Sequence, residues 1–162
     1  DVLITDTPAV TLFQRFADCV PILLADPRRR AVGVVHAGWR GTLLKAPAAA
    51  VHAFAERYGS RPQDVLAAIG PSIGPERYEV GPEVAAQARA AFPVEAEQVV
   101  ITRAGRTHLD LWRANELALR AAGVGQVELS GLCTVTHQHD FFSHRGEHGQ
   151  TGRFGALIAL AA

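Results

Sequence analysis

Short apolar runs with the two-residue period of a pleated strand alternate along this chain with alanine-rich stretches of helical period, and no linker or low-complexity tract interrupts them. The alternation constrains the fold more than any single residue does. Each strand-like run is too apolar to stay in water, and each helix carries one stripe to bury against it. Strands are predicted over residues 2–5, 9–16, 22–25, 31–36, 65–69, 99–102, 127–129, 141–142 and 154–160. Helices are predicted over 42–58, with Leu43, Leu44, Val51 and Phe54 on the apolar side, over 82–92, and from Thr107 through Ala121. Pro47 fits the first of these only within its opening turn; elsewhere it kinks the segment. Thr107 reads as the cap of the third, with Asp110 as the acidic partner of a capping box. The doubled Ile-Gly-Pro of 69–71 and 73–75 calls for an irregular loop. The pattern predicts an α/β chain, a three-layer α/β/α sandwich with a mixed, largely buried sheet. One domain spanning 1–162 accommodates it, and 162 residues are enough to bury a real core. The chain lacks methionine and opens on Asp1 in strand-like chemistry, so a natural N-terminal segment is expected ahead of it.

Composition narrows the function classes. With 48% apolar and 20% charged residues the chain is neither disordered nor membrane-spanning. Sixteen basic and sixteen acidic residues cancel, which removes the broad positive footprint of a nucleic-acid binder and favours small-molecule partners. Two cysteines far apart in sequence are too few for a disulfide scaffold and fit a reducing, cytoplasmic setting. Nothing in the sequence sets the oligomeric state.

Two blocks carry the chemistry. In Ala17-Asp18-Cys19-Val20-Pro21-Ile22-Leu23-Leu24 and in Val34-Val35-His36-Ala37-Gly38-Trp39-Arg40-Gly41-Thr42, a soft polar side chain closes a strand-like run and turn chemistry follows. If the two strands are adjacent and parallel, their C-terminal ends meet at one sheet edge, and the Cys19 thiol and His36 imidazole converge on one metal ion or one substrate atom. Arg40 stands just ahead of a predicted helix, and Arg145 and Arg153 flank a loop rich in glycine and histidine. Trp39 reads as packing. Asp110 and Asn115 read as a helix cap and a buried amide as readily as site residues. A rival constellation is Cys133 with His137, His139, His144 and His148, because on an extended strand positions two apart share a face.

Taken together, six ordered blocks resemble the YfiH or laccase-domain family. They are Ala-Asp-Cys-x-Pro-Ile-Leu, Val-His-Ala-Gly-Trp-Arg-Gly-Thr, Ile-Gly-Pro-x-Ile-Gly-Pro-x-x-Tyr-Glu-Val-Gly, Asp-Leu-x-x-x-Asn, Cys-Thr, and Phe-Phe-Ser-His-Arg with Thr-Gly-Arg-Phe. They run from Ala17 to Phe154. Members of that family were long labelled polyphenol oxidases and are now regarded as zinc-dependent purine nucleoside phosphorylases with adenosine deaminase side activity. The resemblance implies that Cys19 and His36 are zinc ligands at the catalytic centre. It implies a third ligand, a histidine in a Gln-Val-His-Gly type block upstream of the first strand, a role no residue of this sequence fills. It also implies purine nucleosides and phosphate as partners, with Arg40, Arg145 and Arg153 as candidates for the phosphate or ribose. Two departures stand out: Glu76 where many members carry cysteine, and Gly146 where a second arginine is common.

The residues fit such a site on physical grounds. Zinc takes thiolate and neutral imidazole in tetrahedral geometry, and three protein ligands leave one position open. Guanidinium groups and glycine-rich backbone suit a phosphate. Three other classes are weighed against it. Copper is the historical alternative, but a multicopper centre needs several imidazole pairs and the chain has one His-x-His and no axial methionine. A Cys-His hydrolase or deamidase would use Cys19 as nucleophile and His36 as base; the family fold resembles that of toxin deamidases built this way. A non-catalytic interaction module with a half-formed metal site is the third.

Overall fold

The most apolar runs of the sequence become the two central strands. In the computed structural model, which describes residues 1–161, the chain starts with β1 (Val2–Thr5), β2 (Thr11–Phe16), β3 (Val20–Asp26) and β4 (Ala31–Ala37). It continues through α1 (Trp39–Leu43), α2 (Ala46–Tyr58), β5 (Leu66–Ile69), α3 (Pro82–Ala91), α4 (Ala96–Val99), β6 (Val100–Arg103) and β7 (Arg106–Leu109). The last elements are α5 (Leu111–Ala121), β8 (Gln126–Leu129) and β9 (Phe154–Ala159). The turn between β3 and β4 is written by Asp26-Pro27: Asp26 Oδ1 accepts the backbone N–H groups of Arg28 and Arg29 at 2.9 and 3.1 Å.

The main sheet has the order β1-β4-β3-β5-β8. Its β1–β4, β3–β4 and β3–β5 pairs are antiparallel and its β5–β8 pair is parallel, so the α/β class with a mixed sheet holds. The parallel relation expected for the two chemistry-bearing strands does not. Cys19 immediately precedes β3, and His36 lies near the end of β4, in register with Pro21. Convergence at one edge survives because an antiparallel pair places the start of one strand beside the end of the other.

The two faces of this sheet are covered differently. Val20, Ile22, Leu24, Val35 and Ala37 pack with Ala50, Val51 and Phe54 of α2 and with Leu111, Ala114 and Leu119 of α5. Gly33 allows the closest of these approaches: a Cβ there would lie 2.9 Å from Cε2 of Phe54. On the other face Leu23, Val32 and Val34 meet Leu12 and Phe16 of β2 and Phe154, Ala156 and Ile158 of β9. β2 and β9 pair antiparallel from Thr11↔Ala159 to Phe16↔Phe154. Among the described residues, then, this third layer is a strand ribbon where helices were expected. Its alternating inward positions, Leu12 and Phe16, are what let two strands do the work of a helix layer.

Three local expectations are corrected. The helix over 42–58 is two helices, separated at Lys45, which sits in the left-handed region (φ 58°). Pro47 falls in the opening turn of α2, where its missing N–H costs nothing. Leu44, in the break, is 82% exposed and no part of the apolar side. Thr107 does not cap a helix; it pairs with Thr102 in the β6–β7 hairpin, whose Ala104-Gly105 turn has two positive φ angles, 47° and 75°. Asp110 is itself the cap of α5, accepting the Arg113 N–H at 2.8 Å. Residues 141–142 form no strand; Phe141 instead packs edge-on against Phe154, ring centroids 5.2 Å apart. No helix among the described residues is long and apolar enough to cross a membrane.

Candidate active site

Cys19 and His36 lie on the ribbon side of the sheet, at one rim. Cys19 packs with the β2–β9 cluster, and the His36 ring rests against Phe16 of that cluster at a centroid distance of 4.8 Å. The register that pairs Val20 with Ala37 continues outward to bring Cys19 opposite Gly38. A Cβ at Gly38 would lie 3.0 Å from the Cys19 sulfur, so glycine there keeps the thiol uncovered from that side. Burial pushes the Cys19 thiol above its ordinary value, the neighbouring Asp18 charge adds to the rise, and the Arg153 charge opposes it. Burial lowers the basicity of His36. Both shifts favour the uncharged forms, thiol and imidazole. A thiolate–imidazolium pair poised for nucleophilic attack needs both shifts in the other direction. A divalent cation would supply the charge that turns this thiol into a ligand, and the imidazole is already in its ligating form.

Beside the thiol stands Asp18, a charge that the sequence marks as awkward for a plain core but to which sequence reasoning gives no role of its own. Asp18 is 8% exposed and takes a left-handed backbone (φ 81°) unusual for a residue with a side chain. Its Oδ1 accepts the hydroxyls of Thr134 and Ser143, each at 2.7 Å, and its Oδ2 accepts the backbone N–H of Arg145 at 2.6 Å. Its carbonyl accepts the N–H of Ile73 at 3.0 Å. One residue thus ties the Ile-Gly-Pro loop, the Cys-Thr block and the loop of residues 143–147 to the turn that presents Cys19. The available signal was a charged residue inside an apolar block.

The arginines arrive by different routes. Arg145 donates from Nη1 to the Glu79 carbonyl at 3.0 Å, and its guanidinium lies 5.2 Å from the centre of the Tyr78 ring. Burial raises the pKa of the Tyr78 phenol; Arg145 and Arg40 work against the rise, while Cys19 and Asp18 reinforce it. Tyr78 therefore sits within electrostatic reach of both arginines and of the thiol. Arg40 lies inside the five-residue α1, not ahead of a helix, and its guanidinium covers the Trp39 ring at 4.2 Å. Arg153 donates from Nη1 to the carbonyls of Thr151 and Gly152 at 3.2 and 2.7 Å, and its charge is felt at Cys19.

A family model described as multi-copper polyphenol oxidoreductase laccase matches residues 1–161. This chain belongs to that laccase family. It is 48% identical over 160 residues to a Deinococcus radiodurans protein named purine nucleoside phosphorylase, covering 99% of this chain and 61% of that one. It is 39% identical over 163 residues to purine nucleoside phosphorylase YlmD of Bacillus subtilis, covering 99% of this chain and 58% of that protein. The crystal structure of YlmD from Geobacillus stearothermophilus superposes with a TM-score of 0.94 at 39% identity, over 100% of this chain and 61% of that one. The laccase-family chain spans about three fifths of the length of these relatives.

In the laccase-family chain the rival constellation does not assemble as a strand would. Residues 133–139 run through turns, which removes the premise that positions two apart share a face. The Cys133 sulfur accepts the Gly74 N–H at 3.2 Å, and His137 Nδ1 lies 3.0 Å from the Cys133 carbonyl. His139 pairs with Asp140, and His144 lies against Gly149. His148 takes a left-handed backbone of its own, φ 51°. Among the described residues no group of three or more His, Cys, Asp or Glu side chains is placed to hold a metal. Asn115 is a buried amide, donating to Thr42 Oγ1 at 3.0 Å and to the Leu111 carbonyl at 2.8 Å. The two departures also find places: Glu76 pairs with Arg103 at 3.0 Å, and a Cβ at Gly146 would fall 2.5 Å from the Gln138 amide nitrogen.

The loop carrying Arg145 has its own electrostatic fastening. Glu147 accepts the Thr151 hydroxyl and the Ser143 N–H, and these bonds, the hydroxyl first, hold its carboxyl below the ordinary value of 4.5. A folded value below the unfolded one means that the fastening is complete above the unfolded value and is lost as pH falls through the folded one. Amide-exchange protection over residues 143–151 is therefore expected to weaken as the solution is acidified below pH 4.5. Glu147→Gln should flatten that dependence, and an unchanged profile in the variant would count against it.

Proposed function

We propose that this chain is the catalytic part of a zinc-dependent purine nucleoside phosphorylase, converting adenosine, inosine or guanosine and phosphate to free base and ribose 1-phosphate, with deamination of adenosine as a side activity. The relatives bearing that name support the first part. The observation that supports the reading is that Cys19 and His36 lie on the same face of the sheet, at the start of β3 and the end of β4, both against the β2–β9 cluster. Cys19 as thiolate and His36 as neutral imidazole would hold the metal, with the third ligand supplied from outside this sequence. Bound zinc supplies a Lewis acid with one open position, able to polarise a substrate group or to lower the pKa of water to about 7.

In phosphorolysis a phosphate oxygen forms a bond to the sugar carbon while the bond from that carbon to the purine nitrogen breaks. The electron pair leaves with the base, which then takes up a proton. The chain's task is to hold the anion against a sugar that becomes cationic, and Arg145, Arg153 and Arg40 serve it with charge and directional donors. Deamination exchanges the adenine amino group for a water oxygen and releases ammonia. The two free thiols fit a reducing cytoplasm as the place of action.

Product analysis of adenosine and inosine, with and without phosphate, tests the assignment. The zinc-loaded chain should be assayed beside a form extended at its N-terminus to include the upstream histidine block. Free base with ribose 1-phosphate is expected only when phosphate is present, and inosine from adenosine without it reports deamination. Copper-dependent oxidation of a phenol with no nucleoside turnover in either form would overturn the proposal.

A further inference from the structure

We infer that Asp18 is the positioning residue for Arg145, fixing that arginine as an anion-binding group at a set distance from the Cys19 sulfur; this rests on the phosphorolysis reading above. Asp18 is buried, yet its carboxylate contacts only neutral donors: two hydroxyls and one backbone amide. The amide is that of Arg145 itself. By gripping the backbone and leaving the guanidinium alone, Asp18 fixes where the residue starts without neutralising its charge. The far end is fixed equally gently, with Nη1 on the Glu79 carbonyl and the guanidinium beside the Tyr78 ring. Among the described residues no carboxylate pairs with this guanidinium. A cation anchored at both ends by uncharged partners, with donors to spare, is what bidentate recognition of a phosphate requires.

The backbone points the same way. A left-handed φ of 81° at a non-glycine residue costs free energy and persists only where the surroundings over-determine it. Here four hydrogen bonds do so, the three to the carboxylate and one to the carbonyl from Ile73. The same turn sends the next side chain, Cys19, toward the rim. Asp18 therefore links the two halves of the site. The sulfur follows it in the chain, and the arginine is tied to its carboxylate.

The test combines calorimetric binding of inorganic phosphate to the zinc-loaded, N-terminally extended form with KM values for phosphate and for inosine. Four proteins are compared: the parent, Asp18→Asn, Arg145→Ala and the double variant. An amide at 18 keeps the shape but not the charge: the Thr134 and Ser143 hydroxyls can turn to accept from it, while the Arg145 N–H, which can only donate, is left with a neutral acceptor in place of a carboxylate. Asp18→Asn is expected to weaken phosphate binding and raise its KM by about tenfold, the scale of a hydrogen bond to a charged group. Inosine KM, measured at saturating zinc, should stay within about twofold, and the double variant should bind phosphate no worse than Arg145→Ala alone, since coupled groups fail together. Unchanged phosphate binding in Asp18→Asn, multiplied losses in the double variant, or a parallel rise of both KM values would overturn the assignment. Should Asp18→Asn not fold, Ser143→Ala keeps the carboxylate and removes one of its donors; a rise of about threefold in the phosphate Kd is expected, and no rise overturns the inference. A parent that binds phosphate without cleaving nucleosides would sink the phosphorolysis reading while the Kd series still judged Asp18; a parent that binds no phosphate would sink both.

Discussion

Cys19→Ala and His36→Ala are each expected to strip zinc from the protein and to reduce phosphorolysis by more than about 100-fold. The floor comes from a weaker lesion: removing a group that merely orients a zinc ligand already costs about 10- to 100-fold in affinity or activity. The two changes should also be told apart by sulfur chemistry. With zinc bound, Cys19 resists alkylation by iodoacetamide; in His36→Ala, or after chelation, the sulfur becomes free to react. Burial and the Asp18 charge hold the metal-free thiol protonated near neutral pH, so labelling should be slow and accelerate as the pH is raised. Metal content per chain by atomic emission, read beside turnover, checks the expectation. Full zinc retention in either variant would remove that residue from the metal site.

The second large effect is on stability. Phe54→Ala is expected to destabilise the fold by about 3–5 kcal/mol, measured by urea unfolding. The ring is fully buried, it fills the space left by Gly33, and it meets Tyr58 edge-on at 5.8 Å. Collapse around the hole is resisted by a strand on one side and a helix on the other. Leu44→Ala, at a side chain 82% exposed, is the control and should stay within about 0.5 kcal/mol. Phe54 packs on the helix face of the sheet, while Cys19 and His36 occupy the ribbon face. Zinc binding by whatever fraction of Phe54→Ala remains folded should accordingly be unaltered.

How much of this was legible in the sequence follows from the range of the forces involved. Strands β3 and β4 could be read because a buried central strand is apolar almost throughout, and their blocks announced Cys19 and His36. Whether those strands run parallel or antiparallel is not a local property; it is set by the short Asp26-Pro27 turn, which leaves no room for a crossover. The β6–β7 hairpin was missed although Ala104-Gly105 stood in plain view, because Thr107 and Asp110 also spell a plausible helix start and hydrogen bonding across the hairpin decides between them. Phe141 and Phe142 look like strand residues and are anchors for a loop, since aromatic rings bury as readily from a turn as from a pleat. Asp18 was hardest to foresee. Its partners stand more than a hundred residues away in the chain, and only the folded molecule brings Thr134, Ser143 and Arg145 to one carboxylate.

The ribbon over the Cys19 and His36 face joins the beginning of the sequence to its end, with Thr11 beside Ala159. A chain still emerging from the ribosome has made β3 and β4 long before it releases β9, so the face that carries Cys19 and His36 stays uncovered until that last strand arrives. During that interval the Cys19 sulfur is more open to oxidants than in the folded chain, where it is partly buried. A product that stopped before β9 would leave bare the face of the sheet that Phe154, Ala156 and Ile158 cover.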